Sequence, residues 1–367
     1  MANITYLLGA GASYDALPIV ENIPNSLNAF SNDFDPGILK ELNPLEFING
    51  GSLAKKFLIR LDSNKAEQEK YYYQIKRFHN DILWLKEESY NHSSIDTFAK
   101  KLYLQKNYEA LKKLKLILSF FFLYMQTKKF DKRYDSFFAS ILEDLNSIPN
   151  NIKVLSWNYD SQLELAFQRF SNSTFAQTKK TLNIFSKRDE ILDNTNNSFS
   201  VFKINGTTGL NIKRTEEYNS YSIIENFDLE GLELLDEFLE VYNSIDLKLS
   251  SSDMSFAWEN FNIEHNFYKE LKSSIEETDI FIVIGYSFPF FNRKVDQFIL
   301  EAMKNLKKVY VQDPKYADDI IEKIKGLKPW QKPQISLRKK EPELVTKDTI
   351  QFTPKTFTDQ FFIPIEF

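Results

Sequence analysis

The sequence contains no cysteine, and this absence excludes disulfides, thiolate metal ligands and a thiol nucleophile. Histidine is also scarce, with only three residues, so few imidazoles can serve as acid–base groups. There is no excess of positive charge: 46 Lys and Arg face 51 Asp and Glu. This balance argues against nucleic acid as a partner. What is present is 43% hydrophobic and 15% aromatic residues, enough to build a large folded core.

The chain also lacks a hydrophobic run long enough to cross a bilayer. Its most apolar run, Leu114–Met125, is shorter than the roughly 20 residues that a spanning helix needs. We therefore interpret it as a buried core helix. No basic segment precedes an apolar one at the N-terminus, so no signal peptide is predicted. These features predict a cytoplasmic protein with no membrane partner.

Short apolar runs that end in small polar turns recur along the chain. Ile4–Leu8 runs directly into Gly9-Ala10-Gly11-Ala12-Ser13, as a buried parallel strand does when it enters a glycine turn. Four later runs have the same form, at 152–157, 201–204, 280–284 and 308–312. Alternation with helical segments predicts an α/β fold, namely a Rossmann-like parallel sheet with helices on both faces.

Between the first and second strand candidates the composition changes to Lys, Glu, Leu and Tyr at helical spacing, with few breaks. This segment predicts a large helical insertion of four or five helices. The predicted domains are an α/β core at 1–50 and 151–315, an insertion at 51–150 that caps the cleft, and a C-terminal extension at 316–367.

Each polar turn allows a functional and a purely structural interpretation. Glycines such as Gly9 and Gly11 let a backbone approach a pyrophosphate, and they also form tight turns. Asn158 and Asp160 follow the second strand, where they could face a ligand or cap a helix. Because position 14 is Tyr, the G-x-G-x-x-G fingerprint of nicotinamide dehydrogenases is incomplete, which disfavours a dehydrogenase.

The order of these motifs resembles the sirtuin-like NAD-binding family, and in particular the bacterial branch found in anti-phage defence proteins. The likeness covers residues 4–315 and includes two further stretches without an assigned role. The motifs are Gly9–Ser13, Ser94–Ala99, Asn158-Tyr159-Asp160, Lys203-Ile204-Asn205-Gly206, Ser255–Glu259 and Gly285-Tyr286-Ser287-Phe288.

The resemblance implies a role for each matching residue. Gly9, Ala10, Gly11, Ala12 and Ser13 would line the pyrophosphate of NAD. Asn158 and Asp160 would face the nicotinamide and its ribose. The adenosine side would be held by Gly285, Tyr286 and Ser287, with Asp313 near its ribose. The protein deacylases of the family carry a four-cysteine zinc ribbon; without cysteine, neither zinc nor lysine deacylation is expected.

The defence branch instead cleaves NAD to nicotinamide and ADP-ribose and so depletes an infected cell. The resemblance thus implies an NAD hydrolase that assembles as a homo-oligomer or with a partner defence protein. However, Asn205 stands where the family has its catalytic histidine, and His79, His92 and His265 match no such position. The alternative is therefore a catalytically silent module that binds NAD or ADP-ribose as a sensor or scaffold.

Overall fold

A computed structural model describes residues 2–43, 51–145, 147–186, 198–212, 231–243, 250–256, 258–259, 261–327 and 350–367. Residues 328–349 of the predicted C-terminal extension lie outside these ranges, as does Ala257 of the Ser255–Glu259 motif. The chain forms two compact units. Unit 1 comprises Met1–Asp15, Phe130–Thr207 and Ser255–Phe367, and unit 2 comprises Ala16–Lys129 and Thr208–Met254.

The strands and helices are numbered in chain order. The strands are β1 (Ile4–Leu8), β2 (Ile152–Ser156), β3 (Ile184–Ser186), β4 (Ser200–Lys203), β5 (Leu210–Ile212), β6 (Ser250–Ser252), β7 (Ile280–Ile284), β8 (Lys308–Gln312) and β9 (Gln351–Lys355). The helices are α1 (Ile23–Asp33), α2 (Leu53–Arg60), α3 (Lys65–Asn91), α4 (Ile95–Leu104), α5 (Tyr108–Lys128), α6 (Arg133–Ile141), α7 (Gln162–Ser171), α8 (Phe175–Thr181), α9 (Leu232–Asn243), α10 (Asn266–Ile275), α11 (Arg293–Ala302) and α12 (Ala317–Leu327).

Unit 1 is built on a seven-stranded sheet in the order β3-β4-β2-β1-β7-β8-β9. Every pairing in this sheet is parallel. β1 lies at its centre, and Ile4 is in register with Ile152 on one side and Ile280 on the other. All five residues of β1, β2 and β7 are buried, as expected for parallel strands covered on both faces.

Alternate residues of each strand point to opposite faces, and each face carries its own apolar core. Leu7 and Val283 belong to a core shared with α10, α11 and α12. Tyr6 and Ile282 belong to a second core shared with α6 and α7. Helices therefore cover both faces of the sheet, and the predicted Rossmann-like α/β fold is confirmed.

Unit 2 is mainly helical and contains α1–α5, α9 and a two-stranded antiparallel sheet of β5 and β6. Its core is aromatic: the rings of Phe120 and Phe238 stack at 3.7 Å, and Phe30, Phe34 and Phe78 pack edge-on or tilted around them. The predicted core helix is α5, in which Leu114 and Phe120 are fully buried. No helix in the described part of the chain has the length and apolar character needed to span a membrane.

The two units divide the chain by how compactly its residues pack. The sequence predicts another kind of division, by which residues form the NAD-binding part: a core at 1–50 and 151–315, an insertion at 51–150 and an extension at 316–367. That division stays a prediction. Within unit 1, β9 adds a strand from the predicted extension to the edge of the sheet, beside β8.

Candidate functional site

The order of the strands marks one edge of unit 1 as the place for a ligand. From β1 the chain builds the sheet outward through β2 and β4, and from β7 it builds in the opposite direction through β8 and β9. Ligands of doubly wound sheets bind outside the carboxyl ends of the strands, where this order reverses. Here that position lies between β1 and β7.

The predicted site residues all follow the carboxyl ends of strands in this sheet. They are Gly9, Ala10, Gly11, Ala12 and Ser13 after β1, Asn158 and Asp160 after β2, Asn205 after β4, Gly285, Tyr286 and Ser287 after β7, and Asp313 after β8. Because the sheet is parallel, its topology brings these separate segments to one edge. None of the three histidines lies there; His265, for example, is the N-cap of α10.

The turns after β1 and β7 are in direct contact through their glycines. Gly285 has a φ of +61°, and a Cβ there would lie 2.4 Å from the Cα of Gly11. A Cβ on Gly9 would lie 2.6 Å from the Gly285 carbonyl oxygen. Contact this close between two main chains requires glycine. These glycines therefore have a structural role whether or not a phosphate binds.

The amides of the first turn are largely used within the protein. Gly9 N–H donates to Ile284 O at 3.0 Å, Gly11 N–H to Gly285 O at 3.0 Å, and Ala12 N–H to Gly9 O at 2.8 Å. Residues Ala10–Ser13 form one short 3₁₀ helix. A pyrophosphate at this turn would consequently need donors other than these three amides.

Arg133, at the start of α6, supports the same turn from its carbonyl side. Its Nη2 donates to Gly11 O at 3.2 Å and to Ala12 O at 3.1 Å. The guanidinium is paired with the fully buried Asp131, with 2.5 Å between Nη2 and Oδ2. Nothing in the sequence pattern singled out this pair, because its contacts join segments more than a hundred residues apart.

Asn158 connects the β2 turn to the β1 turn through a buried side chain. Its Nδ2 donates to Gly9 O at 2.9 Å and lies 3.3 Å from Ser13 Oγ. Ser13 Oγ is in turn 2.8 Å from the hydroxyl of Tyr134, which is also buried. Burial raises the pKa of Tyr134 well above its usual value, so its hydroxyl keeps its proton at neutral pH.

Asp160 is the titratable group of this cluster. Its Oδ1 accepts the Gln162 N–H at 3.0 Å, which fixes the carboxyl at the start of α7. Burial raises the pKa of Asp160, while the nearby Lys203 ammonium acts to lower it. A buried carboxyl whose pKa is shifted, at the carboxyl end of a parallel strand, is the kind of group found at functional sites.

Lys203 ends β4 and is almost completely buried. Its Nζ donates to the main-chain oxygen of Asp160 at 2.6 Å and forms a 2.8 Å ion pair with Glu164 of α7. In the sequence Lys203 stands out only as part of a motif, and Glu164 was not predicted. An acid flanked by Leu163 and Leu165 on an otherwise amphipathic helix was the available signal.

Asn205 and Trp157 carry buried polar atoms that remain unpaired. Asn205 Nδ2 donates to Trp157 O at 3.1 Å, yet its Oδ1 has no hydrogen-bond partner among the described residues. The same is true of Trp157 Nε1. Both side chains are more than nine-tenths buried. A buried polar atom without a hydrogen bond costs folding free energy, so each of these two atoms is a candidate for a hydrogen bond to a ligand or to water.

The residues predicted for the adenosine side have different environments. The Tyr286 side chain is buried, with its ring stacked on Trp157 at 5.4 Å and its hydroxyl bonded to Asp296 at 3.0 Å. Ser287 is exposed. Asp313 Oδ1 accepts the N–H groups of Lys315 and Tyr316 and so orders the turn before α12. Only its other oxygen is left for a ribose.

No group of three or more His, Asp or Glu side chains in the described ranges could hold a metal ion. Known protein-family models and curated proteins give no match to this chain. The likeness to the sirtuin-like family thus rests on its motif residues alone.

Proposed function

We propose that unit 1 binds NAD at the carboxyl ends of β1 and β7 and hydrolyses its nicotinamide–ribose bond. The observation that carries this proposal is the convergence of Ser13, Asn158 and Asp160, from the turns after β1 and β2, at the carboxyl edge of a parallel sheet, which is the edge where doubly wound sheets bind ligands. The order of the motifs adds the likeness to NAD-cleaving proteins.

The chemistry needs little from the protein. Water attacks the anomeric carbon, the bond to nicotinamide breaks, and nicotinamide leaves as a neutral molecule with the bonding pair; ADP-ribose and a proton are the other products. A transition state with oxocarbenium character gains from a nearby carboxylate, which Asp160 supplies. Asn205 Oδ1, an unpaired acceptor, can orient a water or ribose hydroxyl, although an amide cannot take up the proton.

A second candidate is a silent module that binds NAD or ADP-ribose without cleaving it. Asn205 is the observation in its favour, because a positioned general base contributes about 10²–10⁴-fold to such reactions. On the family resemblance, an active protein would deplete NAD during phage infection, as a homo-oligomer or together with a partner protein. A silent one would report nucleotide levels or scaffold an assembly.

The test is nicotinamide and ADP-ribose release from NAD by the purified chain, with NAD binding measured by calorimetry. Asn158→Ala removes the link between the two turns and should abolish release. Asn151→Ala is the matched control, since Asn151 is a buried asparagine that precedes β2 at the opposite edge of the sheet. It should leave release unchanged.

Asn205→His separates the two candidates. Release by the unaltered chain supports the hydrolase. Release only after Asn205→His supports a binding module with a disarmed site, and binding without release from any variant supports the silent module. Absence of NAD binding by the unaltered chain would contradict both.

A further inference from the structure

We propose that Lys203 and Glu164 are positioning residues that act through Asp160, holding its carboxyl group in place and favouring its charged form. This inference rests on the proposed function, in which Asp160 faces the substrate. Neither residue is expected to touch NAD, because each is at most 2% exposed.

The first support is geometric. Lys203 Nζ lies 2.6 Å from the main-chain oxygen of Asp160 and 2.8 Å from a carboxylate oxygen of Glu164. Lys203 is in register with Ser156, the last residue of β2, so the ammonium is anchored on the strand next to the turn that carries Asp160. Its position therefore fixes the main chain at Asp160 from the β4 side, while the Gln162 N–H fixes the carboxyl from the α7 side.

The second support is electrostatic. Four groups face the Asp160 carboxyl: Lys203 from β4, Glu164 from α7, Tyr134 from α6, and Ser13 from the β1 turn. Burial raises the pKa of Asp160; Lys203 lowers it, and Glu164 acts in the opposite direction more weakly. Lys203 is the one cation in this group, so it is the member that favours the carboxylate.

The third support is the burial of the ion pair itself. A buried pair is weak evidence for stability, because desolvation of both charges offsets their attraction. Replacing a buried pair by hydrophobic residues of similar volume is often neutral or stabilising. The charges of Lys203 and Glu164 are thus better explained by the carboxyl next to them than by the stability of the sheet.

The test measures how Asp160 ionises, independently of activity. Aspartate is labelled with ¹³C at its carboxyl carbon, the Asp160 resonance is assigned by its loss in Asp160→Asn, and its chemical shift is followed against pH. In Lys203→Met/Glu164→Gln both members of the pair are neutral, so neither is left as an unpaired charge and only the Asp160 carboxyl titrates at this place. We expect Asp160 to titrate about one pH unit higher in this variant, a tenfold loss of carboxylate at a fixed acidic pH.

A second variant should shift the titration of Asp160 in the opposite direction. Glu164→Gln alone removes the negative charge that opposes ionisation of Asp160 and keeps the Lys203 ammonium, so Asp160 should titrate at lower pH. Lys153→Met is the control, since Lys153 is a buried lysine at the other edge of the sheet, bonded to the main-chain oxygens of Asn150 and Ser198. Unchanged titration in both Lys203 and Glu164 variants, or an equal shift in the control, would overturn the inference.

The outcome also separates this inference from the proposed function. Shifted titration without nicotinamide release by the unaltered chain would refute the hydrolase and leave the positioning role standing. Normal release with unshifted titration would refute the positioning role alone. If both hold, the acid limb of the rate profile should move with the Asp160 resonance.

Discussion

Two neighbouring parts of the same sheet edge are built in contrasting ways. At the ends of β1 and β7, Gly9, Gly11 and Gly285 bring two main chains into contact, and the amides there are paired with carbonyls. At the ends of β2 and β4, Asp160 and Lys203 are buried ionisable groups, and Trp157 Nε1 and Asn205 Oδ1 have no hydrogen-bond partner among the residues that the structure describes. The first part is well satisfied without a ligand, whereas the second is not.

This difference bears on how glycine-rich turns are interpreted. A Gly-x-Gly after a buried strand is commonly taken as a phosphate cradle, but here close packing of two turns already requires the glycines. Two of the unpaired buried atoms in the described part of the chain, Trp157 Nε1 and Asn205 Oδ1, lie beyond the ends of β2 and β4. In this fold the stronger indication of a ligand is the unsatisfied polar group, since natural structures leave few such atoms buried without a reason.

The largest effect should follow from disturbing the glycine contact. Gly285→Ala places a Cβ 2.4 Å from the main chain of Gly11 at a positive φ, and we expect it to cost about 3 kcal/mol or more. Denaturant unfolding measures this. The control is Gly326→Ala in α12, where a Cβ meets nothing within 4 Å and should stabilise the chain by up to about 1 kcal/mol. Similar stability of both variants would contradict the turn-to-turn contact.

A smaller effect should distinguish the two asparagines. Asn158→Ala removes two buried hydrogen bonds, to Gly9 O and to Ser13 Oγ, although Ala12 N–H still donates to Gly9 O; at about 0.5–1.5 kcal/mol for each bond, we expect a loss of about 1–3 kcal/mol of unfolding free energy. Asn205→Ala breaks one hydrogen bond but also removes an unpaired buried acceptor, so its net change should stay within about 1 kcal/mol. Thermal unfolding of both variants in parallel measures these changes. Equal losses of unfolding free energy would contradict the difference between the satisfied and the unsatisfied part of the sheet edge.

The smallest effect should be a change in how the unfolding free energy depends on pH. Because burial raises the pKa of Asp160, the folded chain keeps a proton that the unfolded chain releases above about pH 4. Stability therefore falls as pH rises from that value through the folded-state pKa, and the penalty is complete above it.

Asp160→Asn removes this titration, so its unfolding free energy should fall less than that of the unaltered chain between pH 4 and pH 7. Asp296→Asn should act in the same direction, since burial also raises the pKa of Asp296. Denaturation curves at several pH values check both. Parallel pH profiles for the variants and the unaltered chain would show that neither carboxyl is perturbed.

Much of the sheet could be predicted from sequence because its parallel strands are short, continuous apolar runs bounded by polar turns. Ile4–Leu8 and Ile280–Ile284 are clear examples. Helix α8 was not predicted, although Thr174 and Gln177 form a capping box at its start.

The site was predicted in outline and missed in its contacts. Strand ends can be located by local pattern, and so Asn158, Asp160 and Asn205 could be proposed. The partners of these residues depend on pairing between distant segments. Sequence alone therefore could not predict the contacts of three side chains that the assembled sheet brings to the site: Arg133, Tyr134 and Glu164.

The placement of β1 at the centre of the sheet has a consequence for biosynthesis. On the ribosome this strand emerges long before β2, and its other neighbour, β7, follows only after both segments of unit 2 have been made. The five residues of β1, all buried in the fold, consequently lack their partner strands while Phe30, Phe78 and Phe120 of the helical unit are already available to pack. Synthesis of unit 2 is thus finished before the central strand of unit 1 has both of its neighbours, and a strand exposed for that long is the kind of segment that makes folding intermediates prone to aggregate.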